Sequence, residues 1–586
     1  MISCTGICVK GYINIMIFSF ENGVGRVKTE AYAMTLDAET IAVRTGGTEF
    51  ARLDVRSALN IPGDGDDTSL DEEGAVSSFR LERSAEDCAE FVWESSSSLW
   101  EKKEYILVCR EMYAEYKIRV TGSGKIDSVN YFSGSMTEDG HGSHYEFSEC
   151  YAPVVSLDGS EPYTFSPIKN YDRFSYLTVP PMFLFSFRCE DEAARLTFGL
   201  VAKPGEHNFT KFCYAVSMYR WGSHFWLWTD QDGHTQVNGS WETPSVYIYR
   251  SEDWADAVQR YSDLYFELGY AKRPAPALHP RFWYGPIACG WLEQLTWNYK
   301  GEFGLLEASR QDLYEEMLEK LWDKGLHPKI LIIDDKWQKE YGTAREDKEK
   351  WPDLPGFIRR AKAERGVHTL MWYRMWDNEG IPEKYCVWDD REKRFVCDPT
   401  NPGYRAILED NLSYIISDEE GCLGADGLKI DFAFWQPVGR GAKSYSGKYG
   451  VELFLELVRL IHDTMKKIKP EAILNCSPCH PIFAGLCDQA RLHDYDYRQR
   501  NCLEEFSARA ALYAAALPNT LIDTDGCGYN TRRDTMRYLT RSHEIGIPDM
   551  YCVSDTPYLS LTEEDWAAVK AAWDGYEAKI DRLFEN

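Results

Sequence analysis

The sequence has no apolar run long enough to cross a membrane, and its mean hydropathy is negative. Positive charge is scarce, since 65 Lys and Arg residues stand against 93 Asp and Glu residues, for a formal net charge of -28 at pH 7. A surface of that sign repels the phosphate backbone of nucleic acids. The chain also lacks a Gly-Lys-Ser/Thr phosphate-binding loop and a Gly-x-Ser-x-Gly nucleophile elbow. We therefore expect no nucleic-acid partner and no membrane insertion.

Cysteine usage does not indicate a disulfide framework. The 17 cysteines are odd in number and share no repeated spacing, which is typical of reduced thiols. Residues 1–20 are partly apolar, but Asn14 interrupts them and no small-residue cleavage site follows, so we interpret them as an early strand or a leader rather than a signal peptide. These observations predict a cytoplasmic protein. Cys476-Ser477-Pro478-Cys479-His480 matches a haem-attachment motif, but attachment requires export, so we expect no haem.

Aromatic residues are abundant, at 14% of 586 residues with 19 Trp and 36 Tyr. Flat rings with polar edges suit the faces of sugars, but they also suit large β-sheet cores, and composition alone favours neither explanation. The chain length predicts two or more domains.

The rhythm of the sequence changes near residue 280. Residues 1–250 contain short alternating runs such as Tyr116–Val120, which predict a β-sandwich. A helix capped at Ser251 and a proline-rich stretch fill residues 251–280. Residues 281–586 alternate between apolar strands and amphipathic helices, which predicts a (β/α)8 TIM barrel. The eight candidate strands are Phe282–Cys289, Lys329–Asp335, His368–Trp376, Asp426–Phe432, Ala472–Cys476, Ala490–Asp494, Asn519–Asp523 and a poorly defined one within Ile545–Val553.

Charged residues collect where these candidate strands end, and the active site of a barrel lies at the C-terminal ends of its strands. In the fourth strand, alternation places Lys429 and Asp431 on the lumen face, where the lysine would keep Asp431 ionised as a nucleophile requires. Asp494 follows 63 residues later, two strands onward, and is the candidate acid/base of a retaining glycosidase pair. Asp488 and Asp496 stay open as alternatives, because strand ends predicted from sequence are uncertain by a few residues.

The order of several motifs resembles glycoside hydrolase clan D. These motifs are Trp291, Ile332-Ile333-Asp334-Asp335-Lys336-Trp337-Gln338, Trp351-Pro352-Asp353-Leu354, Thr369-Leu370-Met371-Trp372 and Lys429-Ile430-Asp431. They are most similar to families 36 and 27, the α-galactosidases and α-N-acetylgalactosaminidases, over about residues 280 to 530. The resemblance implies a β-sandwich followed by a catalytic barrel, and cleavage of a terminal α-linked sugar with retention.

Carried over by motif, the resemblance makes Asp431 the nucleophile and Asp494 the acid/base. It places Asp334 and Asp335 at the sugar hydroxyls O4 and O6, which predicts a preference for an axial O4. The remaining substrate contacts that it implies are Trp291, Trp337, Trp372, Lys429, Cys476, Arg491 and Asp525. This chemistry requires no metal and no organic cofactor. Family 36 enzymes are often oligomeric, so the resemblance also suggests a homo-oligomer.

Some features depart from family 36 and leave the substrate open. Asn475-Cys476-Ser477-Pro478-Cys479-His480 replaces a glycine run near the C2 group of the sugar, so galactose and N-acetylgalactosamine are both retained as candidates. Ala425-Asp426-Gly427-Leu428-Lys429-Ile430-Asp431-Phe432 also resembles family 31, which keeps an α-glucosidase, a sulfoquinovosidase or a transglycosylase as alternatives. A catalytically silent carbohydrate-binding protein is a further alternative from another class.

Overall fold

The computed structural model describes residues 16–45, 47–72, 76–134, 143–154, 164–165, 179–190, 192–216, 224–301, 303–493, 502–526, 531–556 and 559–585. In these residues an antiparallel β region precedes a parallel barrel, as the sequence predicts. The fold class, a β-sandwich followed by a TIM barrel, is confirmed.

The N-terminal region consists of antiparallel strands. Its longest two, β11 and β18, pair with each other along most of their length, with a register shift between Ile126 and Ser128. The first half of β11 alternates between buried and half-buried residues, so one face of the strand packs into the core. The strands are β1 (Ile17–Glu21), β2 (Val24–Lys28), β3 (Ala33–Leu36), β4 (Thr40–Thr45), β5 (Thr48–Asp54), β6 (Ala58–Pro62), β7 (Thr68–Ser69), β8 (Val76–Ala85), β9 (Cys88–Ser95), β10 (Lys102–Cys109), β11 (Ala114–Tyr131), β12 (Ser143–Tyr145), β13 (Glu149–Tyr151), β14 (Thr164–Phe165), β15 (Leu184–Arg188), β16 (Arg195–Val201), β17 (Phe212–Val216), β18 (His224–Glu242) and β19 (Ser245–Ser251).

Aromatic rings fill much of the core of this region. Phe187 lies against Phe147, Phe198 and Phe225, at centroid distances of 4.3, 5.9 and 5.9 Å. All four side chains are buried. Core packing therefore accounts for part of the high aromatic content, and the composition is no evidence of sugar binding in this half.

A single helix connects the two regions. Helix α1 (Trp254–Glu267) begins at Asp253, whose carboxylate accepts a hydrogen bond from the amide of Asp256. The predicted cap at Ser251 is wrong, because Ser251 ends β19 and is hydrogen-bonded to Thr197. Asp253 also satisfies the N-terminal amides better, since an aspartate caps as well as serine and adds a favourable charge.

The second region is a barrel of parallel strands with helices between them. Its elements in chain order are β20 (Ile287–Cys289), α2 (Trp291–Tyr299), α3 (Gln311–Asp323), β21 (Ile330–Ile333), α4 (Leu354–Arg365), β22 (His368–Arg374), the hairpin β23 (Cys386–Asp389) and β24 (Arg394–Cys397), α5 (Pro402–Ile416), β25 (Gly427–Asp431), α6 (Val451–Ile468), β26 (Ile473–Cys476), β27 (Gln489–Arg491), α7 (Cys502–Ala516), β28 (Leu521–Asp523), α8 (Arg532–Arg541), β29 (Asp549–Met550) and α9 (Glu563–Glu585). Seven of the predicted barrel strands contain an observed strand, and the remaining one, Ala490–Asp494, overlaps β27, which begins one residue earlier; each observed strand is shorter than its prediction. The hairpin β23–β24 was not predicted.

The barrel strands follow the order β20, β21, β22, β25, β26, β27, β28, and β29 pairs with β20. An isolated parallel bridge between Asp523 and Ile547 joins the remaining edge. Strand β21 is entirely aliphatic and fully buried, as expected for a strand covered on both faces. No helix in the described part of the chain is long and apolar enough to cross a membrane.

Backbone and side-chain contacts join the two regions. Gly450 forms a parallel bridge with Phe209, and the amide of Val451 donates to the carbonyl of Phe209 at 2.9 Å. Gly450 has φ of +58°, and a Cβ at this position would lie 1.9 Å from the carbonyl oxygen of Phe209. Only glycine fits this contact without a shift of the backbone.

Candidate active site

Asp431 ends strand β25 at the C-terminal side of the barrel. Its side chain is 24% exposed, whereas that of Arg491 beside it is 2% exposed. Oδ1 accepts a hydrogen bond from the amide of Phe432 at 2.8 Å, and Oδ2 accepts one from the indole of Trp372 at 3.2 Å. The carboxylate is therefore held in one orientation with part of its surface open.

The surroundings of Asp431 keep it ionised. Burial alone would raise its pKa, but the charges of Arg491 and Lys429 and the bond from Phe432 outweigh that effect and lower the pKa to about 2. Nη1 of Arg491 is 3.4 Å from Oδ1 of Asp431. A carboxylate with this pKa is available as a nucleophile at neutral pH.

Lys429 occupies the lumen beneath Asp431 and is 3% exposed. Nζ donates to Asp334 Oδ2 at 2.8 Å and to the hydroxyl of Tyr551 at 3.3 Å, and it lies 3.3 Å from the sulfur of Cys289. Burial alone would lower the pKa of Lys429, but the charge of Asp334 outweighs burial and the pKa is raised. Lys429 is thus a permanent buried cation whose direct partner is Asp334 rather than Asp431.

Asp334 and Asp335 follow strand β21 directly and are both buried. Asp334 accepts bonds from Lys429, from the thiol of Cys289 at 3.0 Å and from the amide of Asp335 at 2.9 Å. Asp335 accepts a bond from the hydroxyl of Tyr341 at 2.8 Å through Oδ1 only. Asp334 is therefore satisfied inside the protein, while Oδ2 of Asp335 accepts no hydrogen bond from the described residues.

Burial also raises the pKa of Asp335 to about 7, with the charge of Asp334 adding to the effect. Arg374 lowers it in part. Arg374 ends strand β22 directly opposite Asp431 in the sheet, and its guanidinium lies over the rings of Tyr341, Phe432 and Trp435. Asp335 therefore changes its charge near neutral pH at the edge of the site.

Arg491 and Asp525 link three neighbouring strand ends. Nε of Arg491 donates to Asp525 Oδ2 at 2.9 Å, and Nη1 donates to the carbonyl of Ile430 at 2.8 Å. Arg491 and Asp525 are 2% and 0% exposed. The guanidinium therefore couples β28 to the strand that carries Asp431.

The three predicted tryptophans differ in their exposure. Trp291 begins helix α2 and is half-buried, so one part of its ring is open. Trp337 is fully buried and donates its indole N–H to the carbonyl of Trp372 at 2.8 Å. Trp372 is 1% exposed and reaches the site through its indole N–H alone. Trp337 thus binds Trp372, and Trp372 in turn binds Asp431, whereas Trp291 retains an exposed surface.

Cys476 ends strand β26 and is buried. Its sulfur is 2.7 Å from that of Cys487, and it lines a small apolar cavity with Met375, Ile430 and Phe454. His480 turns the other way, toward the N-terminal region: Nε2 lies 3.1 Å from the hydroxyl of Tyr261 in α1. The motif Cys476-x-x-Cys479-His480 therefore packs the barrel against α1.

Of the three candidates for the acid/base, only Asp488 lies among the described residues. It precedes β27, at the N-terminal end of the strand, and binds Lys466 at 2.7 Å and the amide of Leu474 at 2.7 Å. Asp488 is thus at the wrong end of the barrel, because the active site lies at the C-terminal strand ends. Asp494 and Asp496 lie outside the described residues.

Sequence analysis missed several residues of this region: Cys289, Tyr341, His493, Asp549 and Tyr551. Asp549 lies in a strand of two residues, too short to be recognised by alternation. His493 has φ of +63° and is 2% exposed, and burial, followed by the charge of Arg491, lowers the pKa of its ring. The strand-end rule applied to residues after β27 is the one signal that could have found His493.

No protein-family model matches the chain, and no curated protein matches it. Solved structures do share its fold. The cycloalternan-forming enzyme from Listeria monocytogenes with a pentasaccharide substrate is 12% identical, with a TM-score of 0.51 over 96% of this chain and 59% of that chain. A Flavobacterium johnsoniae GH31 dextranase complexed with isomaltotriose is 11% identical, with a TM-score of 0.50 over 98% and 69%. A GH31 α-xylosidase from a soil metagenome, complexed with xylose, is 10% identical, with a TM-score of 0.50 over 97% and 85%.

These similarities are at the level of the fold. This chain shares a β-sandwich followed by a barrel with solved glycoside hydrolases. The chain spans 59% of the length of the Listeria enzyme.

Proposed function

We propose that this protein is a retaining α-glycosidase in which Asp431 attacks the anomeric carbon and forms a covalent glycosyl-aspartate. The observation that carries the proposal is the state of Asp431: it is partly open, ends a barrel strand at the C-terminal face and has a pKa of about 2. An ionised carboxylate positioned by an amide and an indole is what double displacement requires of its nucleophile.

The acid/base in this proposal is Asp494. It follows Arg491 by three residues in the sequence, and Arg491 contacts Asp431. The acid protonates the departing oxygen and then removes a proton from the attacking water. Trp291 and Asp335 are proposed to contact the sugar, and the buried residues support the pocket: Arg491, Asp525, Cys476, Trp337, Trp372, Asp334 and Lys429.

For the sugar we propose galactose or N-acetylgalactosamine. Oδ2 of Asp335 is the acceptor left for a sugar hydroxyl at the position that the family resemblance assigns to O4 and O6, since Asp334 is bonded to Lys429. A site built around such a bond strongly rejects a sugar that presents the hydroxyl elsewhere. An α-glucoside is the second candidate, because the dextranase that shares the fold is complexed with isomaltotriose.

A panel of aryl α-glycosides tests the proposal. Turnover of the α-galactoside, α-N-acetylgalactosaminide, α-glucoside and sulfoquinovoside is compared at neutral pH, and product analysis distinguishes hydrolysis from transfer to a sugar acceptor. A higher kcat/KM for the α-glucoside would overturn the galactose assignment and leave the mechanism standing. Sugar binding without turnover of any substrate would instead identify a silent carbohydrate-binding protein.

The nucleophile is tested separately with an activated fluorosugar that traps the glycosyl-enzyme. We expect peptide mass spectrometry to find the label on Asp431 and to find none in Asp431→Asn. That variant should lose several orders of magnitude in kcat, and azide should restore turnover with the inverted glycosyl azide as product. Near-normal turnover by Asp431→Asn would show that the nucleophile is another residue.

A further inference from the structure

Three buried carboxylates meet where the barrel closes. Asp523 ends β28, Asp525 lies two residues later, and Asp549 begins β29. They are 0%, 0% and 1% exposed, and one oxygen from each lies within 4.8 Å of the other two. Carboxylates that lie this close together and are excluded from water repel one another strongly unless a positive charge compensates them.

The location coincides with the sparsest strand pairing among the described barrel residues. Strand β29 pairs with β20 through two residues, and toward β28 the sheet continues only through the bridge between Asp523 and Ile547. The amide of Ile547 donates to the carbonyl of Ile522 at 2.8 Å. The backbone thus closes the barrel with few bonds at the point where the carboxylates collect.

The hydrogen bonds around the cluster leave Asp549 uncompensated. Asp523 accepts bonds from Asn475 at 2.7 Å and from the amide of Asp525 at 3.0 Å, and Asp525 accepts one from Arg491. Neither oxygen of Asp549 has a hydrogen-bond partner among the described residues, and neither has Oδ1 of the buried Asn475. A buried carboxylate without a donor is costly, so Asp549 requires either a proton or a cation.

Among the described residues, the cations near the cluster are outnumbered by the carboxylates. Nζ of Lys429 is 3.8 Å from Asp525 and bonds to Asp334, while Arg491 is shared between Asp525 and Asp431. Two described cations, Lys429 and Arg491, therefore lie among five carboxylates, which are Asp334, Asp431, Asp523, Asp525 and Asp549.

We propose that Asp523, Asp525 and Asp549 bind one hard divalent cation of the Ca²⁺ or Mg²⁺ class, which joins β28 to β29 and closes the barrel. An all-oxygen carboxylate set is the donor set that these ions prefer. The ion neutralises Asp549 and has no part in the chemistry at Asp431. The inference is independent of the glycosidase proposal, because it concerns stability and requires no turnover.

The test begins with the wild-type full-length protein. After treatment with a chelator and gel filtration, thermal unfolding is followed in CaCl2, in MgCl2 and in NaCl of equal ionic strength, and bound metal is measured by mass spectrometry. We expect Tm to rise with Ca²⁺ or Mg²⁺ and then to saturate, with one ion bound per chain; the arm with the larger shift identifies the ion. Saturable binding should also strengthen as pH rises, because the ligands must be deprotonated.

Two variants locate the site. Asp549→Asn should lose the metal-dependent rise in Tm, whereas Asp71→Asn should keep it. Asp71 is the matched control, since it is an equally buried carboxylate that pairs with Lys103 in the N-terminal region. No metal above the buffer level and no metal-dependent shift in the wild type would overturn the proposal, as would a shift of wild-type size in Asp549→Asn.

Discussion

Replacing Arg491 by Met removes a cation in contact with the proposed nucleophile while keeping much of the side-chain volume. Nη1 of Arg491 is 3.4 Å from Asp431 Oδ1, and the pKa of Asp431 is lowered to about 2. An opposite charge at such a distance lowers the pKa of a carboxyl group by about 1 to 3 units. We therefore expect the pKa of Asp431 to lie between about 3 and about 5 in Arg491→Met.

The shift has a measurable consequence because only ionised Asp431 attacks. At pH 4 a carboxyl group with a pKa of about 2 is about 99% ionised, whereas one with a pKa of about 5 is about 10% ionised. Relative to its own value at neutral pH, kcat/KM of Arg491→Met should therefore fall by up to about 10-fold at pH 4. The wild type should show no loss from Asp431 over this range, and any change that comes from Asp335, whose pKa is about 7, should be common to both enzymes.

The assay is kcat/KM for an activated aryl glycoside from pH 3 to pH 8, with each enzyme normalised to its neutral plateau. Normalisation removes any uniform loss of sugar binding, which Arg491→Met is also expected to show. Arg491→Lys keeps the charge and should keep the acidic limb near that of the wild type. Arg195→Met, a buried arginine of the N-terminal region, controls for general destabilisation. An unchanged acidic limb in Arg491→Met would refute the electrostatic assignment.

Three further outcomes are expected. Asp494→Ala should slow glycosides with poor leaving groups far more than activated aryl glycosides, and equal losses in steady-state rates would argue against its role as the acid. Gly450→Ala should lower the free energy of unfolding by about 1 to 3 kcal/mol in denaturant titrations, because its Cβ would clash with Phe209; wild-type stability would contradict the packing described. In Asp426, burial would raise the pKa, but bonds from His368 and Lys362 lower it to about 2. This stabilisation is present above pH 4 and is lost as pH falls toward 2, so Asp426→Asn should cost about 2 kcal/mol at pH 7 in urea unfolding, less at pH 3, and leave kcat/KM unchanged.

The barrel could be predicted from the sequence because its strands are aliphatic runs that end in charged residues. Asp431 and Arg491 were found by that rule, and the structure places them in contact. The rule says where a strand ends but not which partner a side chain selects. The charge of Lys429 helps to keep Asp431 ionised, as expected, but its bonds go to Asp334 across the lumen.

Burial was harder to predict than position. Trp337 shares a motif with Asp334 and Asp335, and Trp372 lies in a separate motif, but both rings are covered: the indole of Trp337 donates to the carbonyl of Trp372, and that of Trp372 donates to Asp431. Asp549 escaped notice because β29 has only two residues and depends on β20 for its placement. Such short strands are fixed by tertiary pairing rather than by local alternation.

The contact between His480 and Tyr261 has a consequence for how this molecule can be divided. Burial lowers the pKa of His480 to about 3, so its ring is neutral, and it is enclosed by Phe183 of the N-terminal region and by Tyr261 and Tyr265 of α1. A barrel transplanted onto a different sandwich would expose this ring and the apolar surface around it. Helix α1 is bonded to both regions, since the hydroxyl of Tyr261 also donates to the carbonyl of Leu200, so recombination between homologous chains should succeed less often wherever a crossover separates α1 from either region.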